Sequence, residues 1–239
     1  MNAVLAPVVP GLRGHEVLTW HIGGLSPTLQ LIKFDTQQFC LDAFAEQNVA
    51  LPTDVLRSVH KRQAEYFFGR YAARLALRKG GLSELEAGIG ARGSPAWPAG
   101  VVGSITHNSD CAVATVLPSS ECNGIGIDIE HLPSLEVQEA LAQSVLDAHE
   151  FSLLLAHEML LPRAVLFGII FSAKESFYKA VSARVGRFFG FEAIRLIEIG
   201  DVFVRFVVVE PLCAHWRPGV TGTVYFRRLG QDVLTAFAW

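Results

Sequence analysis

A seven-residue segment, Gly-Ile-Gly-Ile-Asp-Ile-Glu at positions 124 to 130, constrains the fold of this chain more than any other part of the sequence. Isoleucine occupies every second position, and glycine, Asp128 and Glu130 occupy the positions between. In an extended strand, successive side chains point to opposite faces. The segment therefore predicts a strand with a buried isoleucine face and with both carboxylates on the other face.

A second segment, Phe-Ser-Ala-Lys-Glu-Ser-Phe-Tyr-Lys at positions 171 to 179, lacks glycine and proline and predicts a helix capped at its start by Ser172. Glu175 and Lys179 are four residues apart and share one helix face. Either segment alone is more typical of a solvated surface than of a functional site. Together they supply carboxylates for a hard divalent cation and a lysine for a phosphoryl group.

Two further segments add basic and histidine side chains. The helical run from 57 to 79 is rich in arginine and lysine, and Arg70, Arg74 and Arg78 recur at every fourth position. Such a stripe is usually solvated, but arginine also binds phosphate groups well. The segment Gly-Ser-Ile-Thr-His at 103 to 107 would bring backbone close to a ligand at the end of a strand, although a lone histidine there is more often a core residue.

These four segments, in this order and at these separations, resemble the 4'-phosphopantetheinyl transferases. The resemblance covers roughly residues 55 to 195 and is strongest to the siderophore type, typified by the enterobactin synthetase component. It implies an enzyme that transfers the 4'-phosphopantetheine arm of coenzyme A to a serine of an apo acyl, peptidyl or aryl carrier protein. The leaving product would be adenosine 3',5'-bisphosphate, and the nucleophile would belong to the carrier. No Gly-x-Ser-x-Gly motif is present, consistent with that assignment.

The resemblance also implies an α+β fold. Two similar subdomains would be related by pseudo-twofold symmetry, each a small antiparallel sheet packed with helices, with coenzyme A in the cleft between them. The polar connection before Gly124 places the division at 1–119 and 120–239. By the same resemblance, the protein is expected to be a monomer.

Residue roles follow from the same resemblance. The metal, Mg²⁺ or Mn²⁺, would bind Asp128, Glu130 and Glu175, since both ions accept oxygen ligands. Catalysis would depend on Glu175, Lys179 and Lys174, and the base for the carrier serine would be either Glu150 or a metal-bound water. Coenzyme A would contact Arg62, Arg70, Arg92, Thr106, His107, Asp128 and Lys179.

Composition limits the classes of partner and the cellular compartment that are expected for this chain. Hydrophobic residues make up 51% of the chain, which argues against disorder, and a net charge of −3 argues against a globally basic nucleic-acid-binding protein. The apolar stretch from 159 to 171 contains Pro162 and Arg163, so no membrane span is expected. The N-terminus lacks a secretory pattern, which predicts a cytoplasmic location. Scattered cysteines predict neither disulfides nor a zinc site.

Three functions remain open at this point. A transferase needs the complete set of carboxylates and lysines, whereas a non-catalytic coenzyme A-binding module needs only the basic features. A metal-dependent phosphohydrolase would share the carboxylates but would use water instead of a carrier serine. The sequence does not identify the carrier, and it leaves two interpretations for the aromatic and basic loop from Arg184 to Phe191, namely core packing or docking of an acidic carrier.

Overall fold

Two antiparallel sheets form the centre of the computed structural model, which describes residues 9–82, 86–90 and 93–239. The strands are β1 (Leu12–Thr19), β2 (Thr28–Phe34), β3 (Gly88–Ile89), β4 (Pro95–Ala96), β5 (Val101–His107), β6 (Cys111–Pro118), β7 (Ile125–His131), β8 (Ile194–Ile199), β9 (Phe203–Val208), β10 (Thr221–Leu229) and β11 (Asp232–Ala238). The first sheet has the order β1-β2-β6-β5, and the second has the order β7-β11-β10-β9-β8. The short strands β3 and β4 pair with each other.

Two long helices each cover one sheet. The helices are α1 (Asp42–Glu46), α2 (Thr53–Leu56), α3 (His60–Lys79), α4 (Leu135–Ser144), α5 (Ala148–His157) and α6 (Arg163–Val185), with 3-10 turns at Thr36–Gln38 and Phe191–Ala193. The prediction that Ser172 caps a helix is wrong, because α6 begins nine residues earlier, directly after Pro162. Proline suits a helix start, and the six residues from Val165 to Ile170 are buried on every side of the helix.

Both halves contain the same topological unit. In the first half, β2 precedes α3 and pairs with the last strand, β6, which pairs with β5; in the second half, β7 precedes α6 and pairs with β11, which pairs with β10. This shared β-α-β-β arrangement confirms the predicted α+β fold built from two similar halves. The predicted division after residue 119 falls in the connection between β6 and β7, and it stays a prediction.

The apolar residues form three clusters that correspond to the layers of the fold. One lies between α3 and the first sheet, one between the two sheets, and one between the second sheet and α6. As predicted, Ile125, Ile127 and Ile129 are buried, in the layer between the sheets. Burial of such a side chain contributes about 1.5–3 kcal/mol each. Within the described ranges, none of the helices combines the length and the apolar character that a membrane span requires.

The glycines of β7 allow α6 to lie unusually close to the strand. A Cβ at Gly126 would overlap the carbonyl oxygen of Ser176, and a Cβ at Gly124 would overlap that of Ala180. Both glycines share the strand face of Asp128, because side chains at every second position point the same way. The close approach therefore brings the side chains of α6 next to this carboxylate.

We expect Gly126→Ala to destabilise the protein by about 3 kcal/mol or more, since overpacking against backbone cannot be relieved by a change of rotamer. Gly14→Ala is the matched control, because its Cβ would meet only the Lys33 side chain at 4.0 Å. Urea denaturation of both variants checks this expectation. Equal stabilities would show that α6 does not need a glycine beneath it.

Candidate active site

The candidate site lies where the edges of the two sheets meet. The hydroxyl of Ser104 on β5 accepts a hydrogen bond from the N–H of Ile127 at 3.0 Å, and the hydroxyl of Thr106 accepts one from Ile129 at 3.0 Å. These N–H groups belong to β7, the edge strand of the second sheet, so side-chain oxygens replace a missing neighbouring strand. The two-residue spacing of the hydroxyls matches the spacing of outward N–H groups along β7.

Asp128 is the most buried carboxylate of the site, at 2% exposure. Its Oδ1 accepts hydrogen bonds from Lys179 Nζ at 2.6 Å and from the Thr106 hydroxyl at 3.1 Å. Its Oδ2 is buried with no partner. A buried, unpartnered carboxylate oxygen is costly, and a directly bound cation would satisfy it.

Glu130 and Glu175 carry the other two carboxylates expected to bind metal, and both are half-buried. Burial, reinforced by the charge of Asp128, raises the pKa of Glu130 from 4.5 to about 8. Burial and Asp128 also raise the pKa of Glu175. Burial is the larger cause of each shift, and repulsion between ionised carboxylates adds to it. A divalent cation bound between these carboxylates would remove the repulsion, and oxygen donors are the ligands that Mg²⁺ prefers. In the described residues one oxygen from each of the three does not come within 4.8 Å of the others, so a shared cation would have to draw the side chains closer together.

Arg62 and His107 of the first half lie within electrostatic reach of Asp128, and Lys179 of the second half acts on the same place. Arg62 on α3 donates from Nη1 to Nε2 of His107 at 3.1 Å. Burial, followed by the positive charges of Arg62 and Lys179, lowers the pKa of His107 to about 4. His107 is therefore neutral near pH 7, and the arginine, histidine and lysine of this group belong to one electrostatic site that favours an anion.

The remaining residues expected to bind coenzyme A take different positions. Arg70 donates to the carbonyl oxygens of Ala87 at 2.8 Å and Gly88 at 2.7 Å, and its guanidinium lies 5.1 Å from the centre of the Tyr66 ring. These groups line a cavity of about 240 Å³. Arg92 lies outside the described residues. Thr106 is 3% exposed and uses its hydroxyl to hold Asp128 and β7, so it acts as a positioning residue here.

Two residues expected to be catalytic, Lys174 and Glu150, lie apart from the carboxylate cluster. Lys174 is 3% exposed and donates to Glu150 Oε2 at 2.8 Å and to the Val145 carbonyl at 2.7 Å. Glu150 is 1% exposed and also accepts from the backbone of Asp147 and Leu196. Every oxygen and ammonium group of this pair is occupied within the protein. These contacts support structural roles for both residues, and the catalytic roles expected for them stay predictions.

Sequence reasoning missed the buried hydroxyl groups that lie between α6 and the strands next to Asp128. Ser172 donates to the backbone carbonyl of Asp128 at 3.1 Å and lies 2.8 Å from the Thr235 hydroxyl, and Ser176 lies 2.6 Å from the same hydroxyl. All three residues are buried. The four-residue spacing of the serines on α6 was the available signal, because small residues at that spacing permit close packing.

A second polar cluster, also unforeseen, joins the two halves beside the end of β7. Asp232 Oδ1 lies 2.5 Å from His131 Nδ1 and accepts from Asn108 Nδ2 at 3.1 Å, and its Oδ2 accepts from Lys33 at 3.3 Å. The Ser109 hydroxyl lies 2.8 Å from His131 Nε2. Because Lys33 already balances the buried Asp232, we assign this cluster a structural role between the halves.

Comparison with known proteins gives consistent matches along the chain. Residues 51–117 match the family model for the 4'-phosphopantetheinyl transferase N-terminal domain, and residues 124–232 match the model for the 4'-phosphopantetheinyl transferase superfamily. The chain is 34% identical to enterobactin synthase component D of Salmonella typhi, over 87% of this chain and 84% of that protein. It is 36% identical to 4'-phosphopantetheinyl transferase Npt of Nocardia iowensis, over 62% and 64% respectively. It is 35% identical to 4'-phosphopantetheinyl transferase PptT of Mycobacterium tuberculosis, over 58% and 59%.

The raised pKa of Glu130 predicts a pH-dependent stability. The pKa of Glu130 is about 8 in the folded state and 4.5 in the unfolded chain. The folded state therefore binds the proton more tightly, and the free energy of unfolding falls as the pH rises from 4.5 to about 8. Glu130→Gln should therefore stabilise the metal-free protein at pH 9 and have a smaller effect near pH 5. Thermal unfolding in EDTA measures the difference, with the exposed Glu121→Gln as control. A difference that does not vary with pH would contradict the shift.

The structural role of Lys174 predicts a specific defect. Lys174→Met leaves Glu150 as a buried charge without its partner, so we expect a loss of about 3–5 kcal/mol of unfolding free energy. Coenzyme A affinity of the variant that remains folded at low temperature should be unchanged. Lys79→Met, at an exposed position in the last turn of α3, is the control for loss of a surface lysine, expected to cost about 0.5 kcal/mol or less. Normal stability with lost affinity would return Lys174 to the active site.

Proposed function

The chain belongs to the 4'-phosphopantetheinyl transferase superfamily, and from this premise we propose that the cluster of Asp128, Glu130 and Glu175 holds the Mg²⁺ ion with which it transfers phosphopantetheine. The chain is an enzyme of the transferase class, acting on coenzyme A and a carrier protein. The observation that carries the metal assignment is the buried Oδ2 of Asp128, which has no partner in the protein. When bound, Mg²⁺ neutralises charge on the pyrophosphate and on the leaving group.

The cationic side of the site suits the phosphate groups of coenzyme A. Arg62 and Lys179 are positively charged. Their charges, together with burial, keep the His107 ring neutral. We assign Arg62 and His107 to a terminal phosphate and Lys179 to the transferring phosphoryl group, where a fixed positive charge stabilises developing negative charge. Arg70 lines a separate cavity with Tyr66 and can hold another part of the nucleotide there. Arg92 remains a proposed phosphate contact on sequence grounds.

The reaction requires three changes of bonding at the carrier serine and the β-phosphorus. The carrier serine Oγ forms a bond to the β-phosphorus of coenzyme A, and the bond from that phosphorus to the bridging oxygen breaks. The bridging oxygen leaves with adenosine 3',5'-bisphosphate, and the serine loses its proton. Glu150 is enclosed by Lys174, Asp147 and Leu196, so we propose that a water molecule of the cleft accepts this proton.

The arm itself is uncharged and needs a less polar surface. A cavity of about 330 Å³ begins at Glu130 and is otherwise lined mainly by apolar groups, including Leu132, Val137, Leu141 and Phe171. Glu130 lines both this cavity and the carboxylate cluster. The pantetheine arm is attached to the β-phosphate, so its cavity should adjoin the place where that phosphate reacts. We propose this cavity for the pantetheine portion of coenzyme A.

For the carrier, we propose the peptidyl or aryl carrier domains of a siderophore or related nonribosomal peptide synthetase. The support is the similarity to enterobactin synthase component D, which covers most of both chains. A fatty-acid acyl carrier protein is a second substrate to test. We further propose that the protein acts as a monomer with one site between its halves.

The transfer reaction is tested by intact-protein mass spectrometry of apo carrier domains incubated with coenzyme A, Mg²⁺ and the protein. We expect a gain of one phosphopantetheine mass on the carrier serine. The gain should be lost in EDTA and fall by at least about a hundredfold in rate with Glu175→Gln, because one charged ligand of the metal is removed. Glu136→Gln, on the exposed first turn of α4, is the matched control.

Three results would contradict the proposal. Transfer that persists in EDTA would remove the metal role of the three carboxylates. Release of phosphopantetheine from coenzyme A at the same rate with and without carrier would indicate a phosphohydrolase. Coenzyme A binding without turnover on any carrier would indicate a binding module.

A further inference from the structure

The polar cluster that joins the two halves contains a histidine with a carboxylate on each side. His131 Nδ1 lies 2.5 Å from Asp232 Oδ1, and His131 Nε2 lies 3.6 Å from Asp110 Oδ1. One ligand atom from each of these residues lies within 4.8 Å of the ligand atoms of the other two. Among the described residues, the three carboxylates of the candidate active site do not meet this condition. The chain therefore holds a preformed set of ligand atoms outside that carboxylate cluster.

The hydrogen bonds of the His131 ring decide which nitrogen can bind an ion. An ionised carboxylate only accepts hydrogen bonds, so Nδ1 of His131 carries the hydrogen and donates it to Asp232. Nε2 then carries the lone pair, 2.8 Å from the Ser109 hydroxyl. A histidine that binds a metal almost always donates its other ring N–H to a carboxylate, a carbonyl or water. His131 and Asp232 already have this arrangement.

The segments that carry these side chains have a fixed backbone. Asn108 Oδ1 accepts hydrogen bonds from the N–H of Asp110 at 3.3 Å and of Cys111 at 2.9 Å, which closes the turn between β5 and β6. The antiparallel register of β7 and β11 places His131 opposite Asp232. Ligands on rigid segments hold a defined geometry and lose little conformational freedom when an ion binds.

The charges of the cluster leave one carboxylate for a cation. Lys33 balances the buried Asp232, with Nζ 3.3 Å from Oδ2. Asp110 is exposed, and no lysine or arginine among residues 9–82, 86–90 and 93–239 forms an ion pair with it. Burial raises the pKa of the neighbouring Cys111 thiol to about 12, so this thiol stays protonated and is not a ligand. The remaining donors are an imidazole nitrogen, a carboxylate and a hydroxyl, which suit Zn²⁺ better than Mg²⁺.

We propose that Zn²⁺ or another divalent transition-metal ion binds between Nε2 of His131 and the carboxylate of Asp110, with Asp232 as the positioning residue that orients the ring. The ion occupies the place at Nε2 that the Ser109 hydroxyl hydrogen now occupies, and water fills its remaining positions. Two ligands of a tetrahedral zinc ion lie about 3.3 Å apart at the usual bond lengths, so the 3.6 Å between Nε2 and Asp110 Oδ1 needs only a small adjustment.

The bound ion would link the two halves of the chain. Asp110 lies in the turn between β5 and β6 of the first half, whereas His131 ends β7 of the second half. The ion thereby gives the structural role of this cluster a specific form. The site goes beyond the transfer reaction and uses none of the residues assigned to it.

Isothermal titration calorimetry of the whole protein with Zn²⁺ tests the site, in excess Mg²⁺ that competes for sites built only of oxygen donors. We expect one Zn²⁺ to bind per chain. Its Kd should rise at least about tenfold with His131→Gln and with Asp110→Asn, because each variant removes one ligand. His149→Gln and Asp201→Asn, at exposed positions elsewhere, are the matched controls and should leave the Kd unchanged.

The nitrogen chemical shifts of the His131 ring test the proposed geometry directly. Before Zn²⁺ is added, Nδ1 should carry the ring hydrogen. On addition, the Nε2 signal should shift while Nδ1 keeps its hydrogen, and the ring of His149 should not respond. A general change in stability would not produce this selective shift. Asp110→Asn, at an exposed position, keeps the test decisive if His131→Gln does not fold.

Three outcomes would overturn the inference. The first is that the wild-type protein binds no Zn²⁺ in excess Mg²⁺. The second is that the Kd is the same for the wild type and for both ligand variants. The third is that binding is lost with Glu175→Gln but kept with His131→Gln, which would place the ion in the carboxylate cluster.

A transfer assay separates this inference from the proposed function. Asp110→Asn should lose affinity for Zn²⁺ and keep the wild-type rate of phosphopantetheine transfer in Mg²⁺. Loss of transfer in this variant would show that the two sites are not separate and would contradict the inference. Absence of transfer by the wild-type protein would overturn the proposed function alone.

Discussion

The contact between α6 and β7 is the packing constraint on which the rest of the site depends. Glycines on the strand and small residues on the helix, including Ser176 and Ala180, let two backbones approach more closely than larger side chains would allow. Lys179 consequently reaches Asp128 directly, with Nζ 2.6 Å from Oδ1. The hydroxyls of Ser172 and Ser176 satisfy polar groups within this contact, so close packing does not leave them unpaired. The helix α6 and the strand β7 therefore form one rigid element.

The junction between the sheets extends this rigidity to the first half of the chain. Thr106 contributes a donor to Asp128 and an acceptor to the Ile129 N–H, so a single hydroxyl fixes both the carboxylate and the strand that bears it. His107, the next residue, points to the other side of β5 and meets Arg62. Because side chains alternate along β5, Thr106 meets Asp128 on one face and His107 meets Arg62 on the other.

Period-two and helical patterns were sufficient to predict much of this arrangement. The alternation at 124–130 predicted which face of β7 carries the isoleucines and which carries the carboxylates, although both faces are buried. The Glu175–Lys179 spacing predicted that these two side chains share a helix face. The surroundings of Lys174 and the start of α6 depend on contacts between segments distant in sequence, which local patterns do not reveal. Lys174 neighbours Glu175 in the chain but projects to a different face of α6, where Glu150 and Val145 enclose it. The start of α6 was misplaced because Ser172 satisfies its hydroxyl across the interface with β7 and Thr235, which no local signal reveals.

The electrostatics of the site explain why its parts act together. Three carboxylates in one partly buried cluster disfavour ionisation, as the raised pKa values of Glu130 and Glu175 show, while Arg62 and Lys179 disfavour protonation of His107. The carboxylates therefore repel one another when ionised, whereas the neutral His107 ring adds no second positive charge beside Arg62. Under the proposed function, a divalent cation would relieve the repulsion among the carboxylates, and a terminal phosphate of coenzyme A would pair with Arg62. The free energy of these two neutralisations would then contribute to binding of the metal and coenzyme A together.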